Sequence, residues 1–321
     1  MTHTVTTEIE RKYEVPAEAQ LPSFTETAGG RLGALVSEVA VLDPVELEAV
    51  YFDTADGVLA AARIALRRRR GGHDEGWHVK LPAAEGRTEL QWPLDVGGEG
   101  GNGETGESGE PGGSGSEAVP GPVLDAVRVH VRDRALTPLA RIATTRRITE
   151  LRDAGGSVVA EIADDTVSAA DLREGTARAW REWEAELGPA APDTAKACTK
   201  VLDAIEQHLL AAGATVSPSV SKLAQAMGRT ALGESPAPAD AAPTTTSTPI
   251  AEPTPSARAA GVVRAGLAEL VASVVALDPL ARADEPDAVH RLRVTVRRLR
   301  SVLATHRALL GSEPAAAAEV T

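Results

Sequence analysis

Polar and apolar residues alternate along a series of short stretches of this chain, the period of a strand with one buried face. In Thr7 to Val15, T-E-I-E-R-K-Y-E-V, alternation puts Glu8, Glu10 and Lys12 on one face and Ile9, Arg11 and Tyr13 on the other. Glu46 to Asp53 reads as a second strand, with Asp53, Asp56 and Gly57 marking the turn after it. Within Ala61 to Arg70, Ile64, Leu66 and Arg68 oppose Arg63, Ala65, Arg67 and Arg69. Trp77, Val79 and Leu81 then oppose His78 and Lys80, and across Gly86 to Leu94 Arg87, Glu89 and Gln91 oppose Leu90 and Trp92. Later strands are predicted over Leu139 to Leu151, over Ser157 to Asp165 after a hairpin at Gly155 and Gly156, and over Trp180 to Leu187. Val159, Glu161, Ala163 and Asp165 share one face of the second of these; Glu182, Glu184 and Glu186 share one of the third.

Helical spacing fills the intervals. Leu32, Leu35, Val36 and Val39 predict a helix within Pro16 to Leu42, Pro122 to Val131 reads as a short helix, and Ala197, Val201, Ile205 and Leu209 predict another over Asp193 to Ala211. About eight strands, mostly joined by hairpin-like turns, predict an α+β fold. Its core would be an eight-stranded antiparallel β-barrel with charges inward and apolar faces outward, covered by flanking helices. A linker and a short all-α segment would follow.

Charged alternation on one strand is ordinarily the solvated side of a sheet. Its recurrence in both signs on successive strands is what needs another explanation. Two carboxylates and an ammonium on one wall suit a divalent ion beside a phosphate, because hard oxygen ligands hold magnesium while lysine takes phosphate charge. Arg67 and Arg69 share a surface on which forked guanidinium groups grip phosphate oxygens in pairs. Glu182, Glu184 and Glu186 repel one another unless cations lie between them.

The 321 residues allow for about two domains. A net charge of −13 would argue against polyanionic partners, but it is unevenly spread. Five acids and no base fall in Gly97 to Pro120, whereas Ala288 to Leu310 carries six arginines and no acid. The glycine-rich stretch of about 97–121 is expected to be a disordered loop, and the Pro/Ala/Thr-rich stretch of 229–257 a linker. Cys198, the single cysteine, rules out an intramolecular disulfide and reads as a small buried side chain. No run of about 18 apolar residues and no amino-terminal signal pattern occurs, so a cytoplasmic protein without membrane contacts is expected.

The opening E-I-E-R-K is similar to the Glu-x-Glu-x-Lys signature of the CYTH superfamily, the triphosphate tunnel metalloenzymes. The rest follows in order: Y-F-D-T at Asp53, L-R-R-R-R, W-H-V-K with Lys80, R-T-E with Arg87 and Glu89, T-T-R with Arg146, Asp164 and Asp165, E-W-E-A-E-L, and Lys222. The resemblance covers about residues 1–228. It implies a tunnel that binds a linear triphosphate and cleaves its terminal phosphoanhydride with Mg2+ or Mn2+. Glu8, Glu10, Asp165, Glu182 and Glu184 would be metal-side carboxylates, and Lys12, Arg67, Arg69, Lys80, Arg87, Arg146 and Lys222 would hold phosphates. Glu8, Glu10 and Lys80 are the expected catalytic residues. Two positions stand out. Ala143 lies where many relatives linked to a second domain carry a further arginine, which would weaken one phosphate contact, and of the adjacent Asp164 and Asp165 parity with Glu161 selects Asp165 as the inward one.

Beyond the linker, Ala260 to Leu277 reads as an apolar helix, and Asp287 to Leu310 places Val289, Leu292, Val296, Leu299 and Leu303 in a packing stripe. The motif V-H-R-L-R-V-T-V-R-R-L-R resembles the start of a CHAD domain, a helical bundle associated with CYTH domains and polyphosphate. That resemblance implies polyphosphate contacts from His290, Arg293, Arg297 and Arg300, in a partial CHAD-like segment over 258–321. Three functions compete: a triphosphatase, a non-catalytic polyphosphate or nucleotide binder, and an adenylyl cyclase acting on ATP. The full set of carboxylates argues against pure binding, and no aromatic clamp for adenine is evident. A nucleic-acid partner is disfavoured because the arginines alternate with core residues and the mean charge is acidic.

Overall fold

The structure, a computed structural model, describes residues 3–24, 32–83, 86–96, 118–219, 221–228 and 255–307, with backbone alone over 255–260. Most of the expected loop and linker, 97–117 and 229–254, lies outside the described residues. The strands are β1 (Thr4–Glu8), β2 (Glu10–Glu14), β3 (Glu38–Val41), β4 (Val45–Asp53), β5 (Ala65–Arg70), β6 (Gly76–Pro82), β7 (Arg87–Trp92), β8 (Thr137–Arg152), β9 (Val158–Asp171), β10 (Ala177–Leu187) and β11 (Thr215–Val216). The helices are α1 (Val58–Ala61), α2 (Gly121–Val131), α3 (Ala195–Ala211), α4 (Lys222–Ala226), α5 (Pro255–Arg282) and α6 (Ala288–Thr305).

All strands join one antiparallel sheet in the order β1-β7-β6-β5-β4-β8-β9-β10-β2-β11, with β3 on β8. Only Ile9 separates β1 from β2, so this one run of chain pairs with β7 through its first half and with β10 through its second. The curled sheet therefore meets itself on the Glu8–Glu10–Lys12 stretch. Counting β1 with β2 and leaving aside the short β3 and β11, the ring has eight strands.

On the outer face, Tyr13, Leu151, Ile162, Trp183 and Ala185 pack against Val201, Leu202, Ile205 and Leu209 of α3. Thr194 caps that helix by accepting from Ala197 N at 3.3 Å. Arg11 and Tyr13 reach Asp203 and Glu206 on it, at 2.7 and 3.0 Å. Inside one half of the ring, Ala49, Tyr51, Ala65, Ile142, Val167 and Ala169 enclose Leu223, Ala224 and Ala226 of α4. This short helix is a plug that carries Lys222 into the interior. Ser221 starts it, accepting from Ala224 N at 3.1 Å.

Two sequence expectations are corrected. The helix expected within Pro16 to Leu42 is absent among the described residues there, which form turns and then β3 paired to β8. Its apolar spacing was met by docking on the α3-side core, against which Leu35, Val36 and Val39 pack. The strand expected from Ala61 starts at Ala65, because buried Asp53 accepts from Thr54 N, Leu59 N and Ala60 N at 2.7, 3.0 and 3.1 Å and so organises the turn of α1.

Residues Met1–Val123 and Asp133–Pro236 form one compact unit; Leu124–Arg132 and Ala237–Thr321 form a second. Within the second, α5 packs on α6, and Leu292, Leu299 and Leu303 are half-buried while Val289 and Val296 remain exposed. His290, Arg293, Arg297 and Arg300 are all exposed. No helix among the described residues is long and apolar enough to cross a membrane.

Candidate functional site

Inward parity of the strands brings Glu8, Glu10, Lys12, Arg67, Arg69, Lys80, Arg87, Arg146 and Glu184, and the plug helix brings Lys222, onto the lining of one cavity of about 1060 Å³. Asp165 and Glu182 lie just behind that lining, essentially buried. Lys222 Nζ touches Glu182 at 2.6 Å, Glu184 at 2.7 Å and Asp165 at 2.8 Å. Arg146 grips Asp165 with two parallel bonds, Nε to Oδ1 at 2.8 Å and Nη2 to Oδ2 at 2.6 Å, and reaches Glu184 at 2.6 Å. Lys12 bridges Glu10, at 3.1 Å, and Glu184. Burial works to raise Glu184, but Lys12, Lys222 and Arg146 outweigh it and hold the carboxylate well below its ordinary range. Burial likewise opposes the Lys222 charge, and Glu184, Asp165 and Glu182 overcome it, raising the ammonium.

The opposite wall repeats the pattern. Lys80 pairs with Glu8 and stands 3.7 Å from Glu89. Arg67 contacts Glu89 at 3.4 Å and Tyr51 Oη at 3.5 Å. His78 is wholly buried, with Nδ1 3.0 Å from Glu89 and Nε2 3.0 Å from the Asp74 carbonyl. Burial first, then Arg67 and Arg69, push the ring down to about 4 even though Glu89 pulls the other way, so at neutral pH its one N–H serves one of the two acceptors. The Nε atoms of Arg67 and Arg69 are buried without a hydrogen-bond partner.

Carboxylates crowd toward the other part of the cavity. Glu150, Glu161, Glu186 and Glu10 are direct cross-strand partners in succession over β8, β9, β10 and β2, and all four line the cavity. Like charges directly opposite are destabilising. Burial and then Glu8 and Glu10 push Glu186 up to about 7, and burial and Glu150 raise Glu161. Separately, oxygens of Asp165, Glu182 and Glu184 lie within 4.8 Å of one another. An all-oxygen set of this kind fits a hard divalent cation. Lys222 and Arg146 already neutralise that buried trio; outside it, Glu8 pairs with Lys80 and Glu10 with Lys12, while Glu186 sits beside both glutamates with only Lys80 opposing them.

The CYTH domain profile matches residues 6–210 and so spans this ring. The chain belongs to the CYTH family. A CHAD domain profile matches residues 265–321. Two strain versions of one uncharacterized protein of Mycobacterium tuberculosis are 38% identical over 307 residues, covering 92% of this chain and 51% of theirs, so the chain spans about half the length of these relatives. Among solved structures, a Bacillus halodurans protein described as an adenylate cyclase has 18% identity and a TM-score of 0.40, covering 69% of this chain and 97% of its own. A Hippeastrum protein, named an adenylyl cyclase and described as having a dominant triphosphatase activity, has 19% identity and a TM-score of 0.38, covering 69% and 96%. The CYTH family is metal-dependent and includes triphosphatases and adenylyl cyclase-like enzymes.

In this CYTH domain Asp165 is wholly buried against Arg146 and Lys222, whereas Asp164 is bound by Arg181 at 2.8 and 2.7 Å. The reading of Ala143 is corrected. It sits exposed on the outer face, while its neighbours Ile142 and Thr144 line the cavity, so an arginine there would point away from any bound phosphate. Trp180 packs on the cluster around the plug helix α4 and donates to Glu182 Oε2 at 2.6 Å. Sequence reasoning left Tyr51, Asp74, His78 and Glu89 without roles. Parity with Arg67, Lys80 and Glu184 marked most of them as inward, but only the register Lys80↔Glu89 and Arg67↔His78 shows whom they meet. Nothing in the local sequence around Asp74 signalled that its turn folds into the cavity.

Proposed function

We propose that the CYTH domain hydrolyses the terminal phosphoanhydride bond of inorganic triphosphate, or of a closely related triphosphate, with Mg2+ or Mn2+. The observation that carries this reading is the single cavity in which clustered lysines and arginines face a row of glutamates. Lys12, Lys80, Arg67, Arg87, Arg146 and Lys222 would hold the phosphates, while Arg69, beyond them, is paired with Asp74. The buried Nε of Arg67, on the cavity lining and without a hydrogen-bond partner, supports an anion in that place. Glu8, Glu10 and Glu186 would hold the divalent ion together with oxygens of Glu184. Asp165 and Glu182 contribute by fixing Arg146 and Lys222.

When bound, the ion would supply charge neutralisation at the phosphate oxygens. Positioning and charge compensation are most of what phosphoryl transfer requires of a protein. The fixed guanidinium and ammonium groups provide both, because their rotamers are tied by the carboxylates behind them. The test is phosphate release from inorganic triphosphate by the full chain with magnesium, with manganese and with chelator, beside ATP and thiamine triphosphate. Fast metal-dependent release supports the proposal. Tight triphosphate binding without release from any substrate would make the domain a binder instead.

A further inference from the structure

The turn between β5 and β6, Gly71 to Glu75, does not project from the barrel: Gly72, His73 and Asp74 line the same cavity as the catalytic candidates. Two consecutive left-handed glycines, Gly71 at φ +81° and Gly72 at φ +77°, fold it inward. A Cβ at Gly71 would stand 2.1 Å from the Glu46 carbonyl oxygen, so the turn lies directly on the β4 backbone. From inside, the Asp74 carbonyl collects Gln91 at 3.1 Å, Arg69 at 3.4 Å and His78, whose Nε2 is 3.0 Å away. The Asp74 carboxylate meets the guanidinium of Arg69. Asp74 is thus held in place by several side chains.

Lys80, Arg67 and Arg69 succeed one another along the inward faces of β6 and β5 toward this turn, and Arg69 is the last inward cation of β5 before it. Successive inward residues of one strand are about 6.6 Å apart. Arg69 is nearly buried and lies among other cations: burial first, then Arg67 and Arg146, lower it to about 9. An arginine so placed would be the grip for the outermost group of a polyanion, yet it is already occupied by a carboxylate of the chain itself.

We propose that Asp74 is a length stop, restricting the cavity to short linear phosphate chains of about three units and turning away longer ones. This rests on the triphosphate reading of the cavity and deepens it. A fourth phosphate reaching Arg69 would have to displace Asp74 and tolerate its negative charge. A triphosphate is served by Lys12, Lys80, Arg67, Arg146 and Lys222 without that cost. The device is steric and electrostatic, and it sets substrate class without taking part in bond cleavage.

The experiment compares inorganic triphosphate with linear tetraphosphate for the full chain and for Asp74→Asn, which keeps the shape and removes the charge. Affinity is measured calorimetrically in chelator, where no chain is consumed, and kcat/KM with magnesium. The expected result is that the tetraphosphate-to-triphosphate ratio rises at least about tenfold in Asp74→Asn in both readouts, and that the rise disappears in Asp74→Asn/Arg69→Gln. An unchanged ratio, or a rise that survives loss of Arg69, overturns the proposal. A parent protein that binds both chains without cleaving either removes the hydrolase reading alone, and the affinity ratio still decides the role of Asp74. A parent protein that binds neither overturns both.

Discussion

Lys222 Nζ lies 2.6 Å from Glu182 Oε1, and the two residues come from a five-residue plug helix and from the last long strand of the ring. The ammonium is the shared partner of three carboxylates that are almost fully buried. Removing it leaves uncompensated charge in the interior, which typically costs about 3 to 5 kcal/mol. Lys222→Met should therefore lower the urea midpoint of the CYTH domain markedly. Added magnesium should recover more stability in the variant than in the parent, because the freed oxygens of Asp165, Glu182 and Glu184 lie close enough to share an ion. Denaturant titrations with and without magnesium check this, and equal metal responses in the two proteins would refute it.

Strand parity gives a sharper contrast between Glu10 and Arg68. Glu10 lines the cavity and pairs with Lys12, whereas Arg68, between Arg67 and Arg69, faces the other side of β5. Glu10→Gln should cut metal-dependent phosphate release by at least about a hundredfold, the scale of losing one preorganised charged group. Arg68→Gln should change it by no more than about twofold, as for substitutions away from a site. Comparable losses from both would mean that the inward face has been misassigned.

How far the sequence carries is clear from these strands. Alternation alone placed Glu8, Glu10, Lys12, Arg67, Arg69, Lys80 and Glu184 on the cavity, since a period of two leaves only one choice of face once the other is apolar. Alternation says nothing about who sits opposite. The row Glu150–Glu161–Glu186–Glu10 exists only through the register of four strands, two of which lie far apart in sequence. The helix expected within Pro16 to Leu42 failed for a related reason: apolar residues at helical spacing can also dock a turn and a short strand on a core supplied by α3. Asp74 was invisible because its position depends on Gly71 lying against the Glu46 carbonyl, a tertiary contact.

His78 makes the fold sensitive to acid in a defined window. Its ring is pushed from 6.5 down to about 4 by burial first and by Arg67 and Arg69. Between those values the unfolded chain binds a proton that the native ring does not, so stability falls as pH drops through the window and is fully retained above it. The gap corresponds to roughly 3 kcal/mol. Glu89, held low despite its burial by His78, Lys80 and Arg67, adds a loss of the same sign only below about 4.5. The raised glutamates act oppositely, which makes the difference between proteins the informative quantity. Urea unfolding at pH 7.5, 5.5 and 4.5 should show that His78→Gln loses less stability on acidification than the parent. Parallel losses would contradict the buried neutral ring.

Glu186 ties metal binding to protons. Burial, then Glu8 and Glu10, bring it to about 7, so this carboxyl changes its protonation near neutrality. The proposed ion, held by Glu8, Glu10 and Glu186, would need the ionised form, and its binding would expel that proton. Magnesium affinity should accordingly rise with pH through about 7 and level off once Glu186 is ionised. Calorimetric titration of magnesium at pH 7 in two buffers of different ionisation enthalpy should report proton release on binding. Glu186→Gln should abolish the buffer dependence and weaken binding. Buffer-independent heats in the parent would place the ion away from Glu186, with the Asp165, Glu182 and Glu184 oxygens as its remaining seat, where Asp165 and Glu184 are held ionised by Lys222 and Arg146.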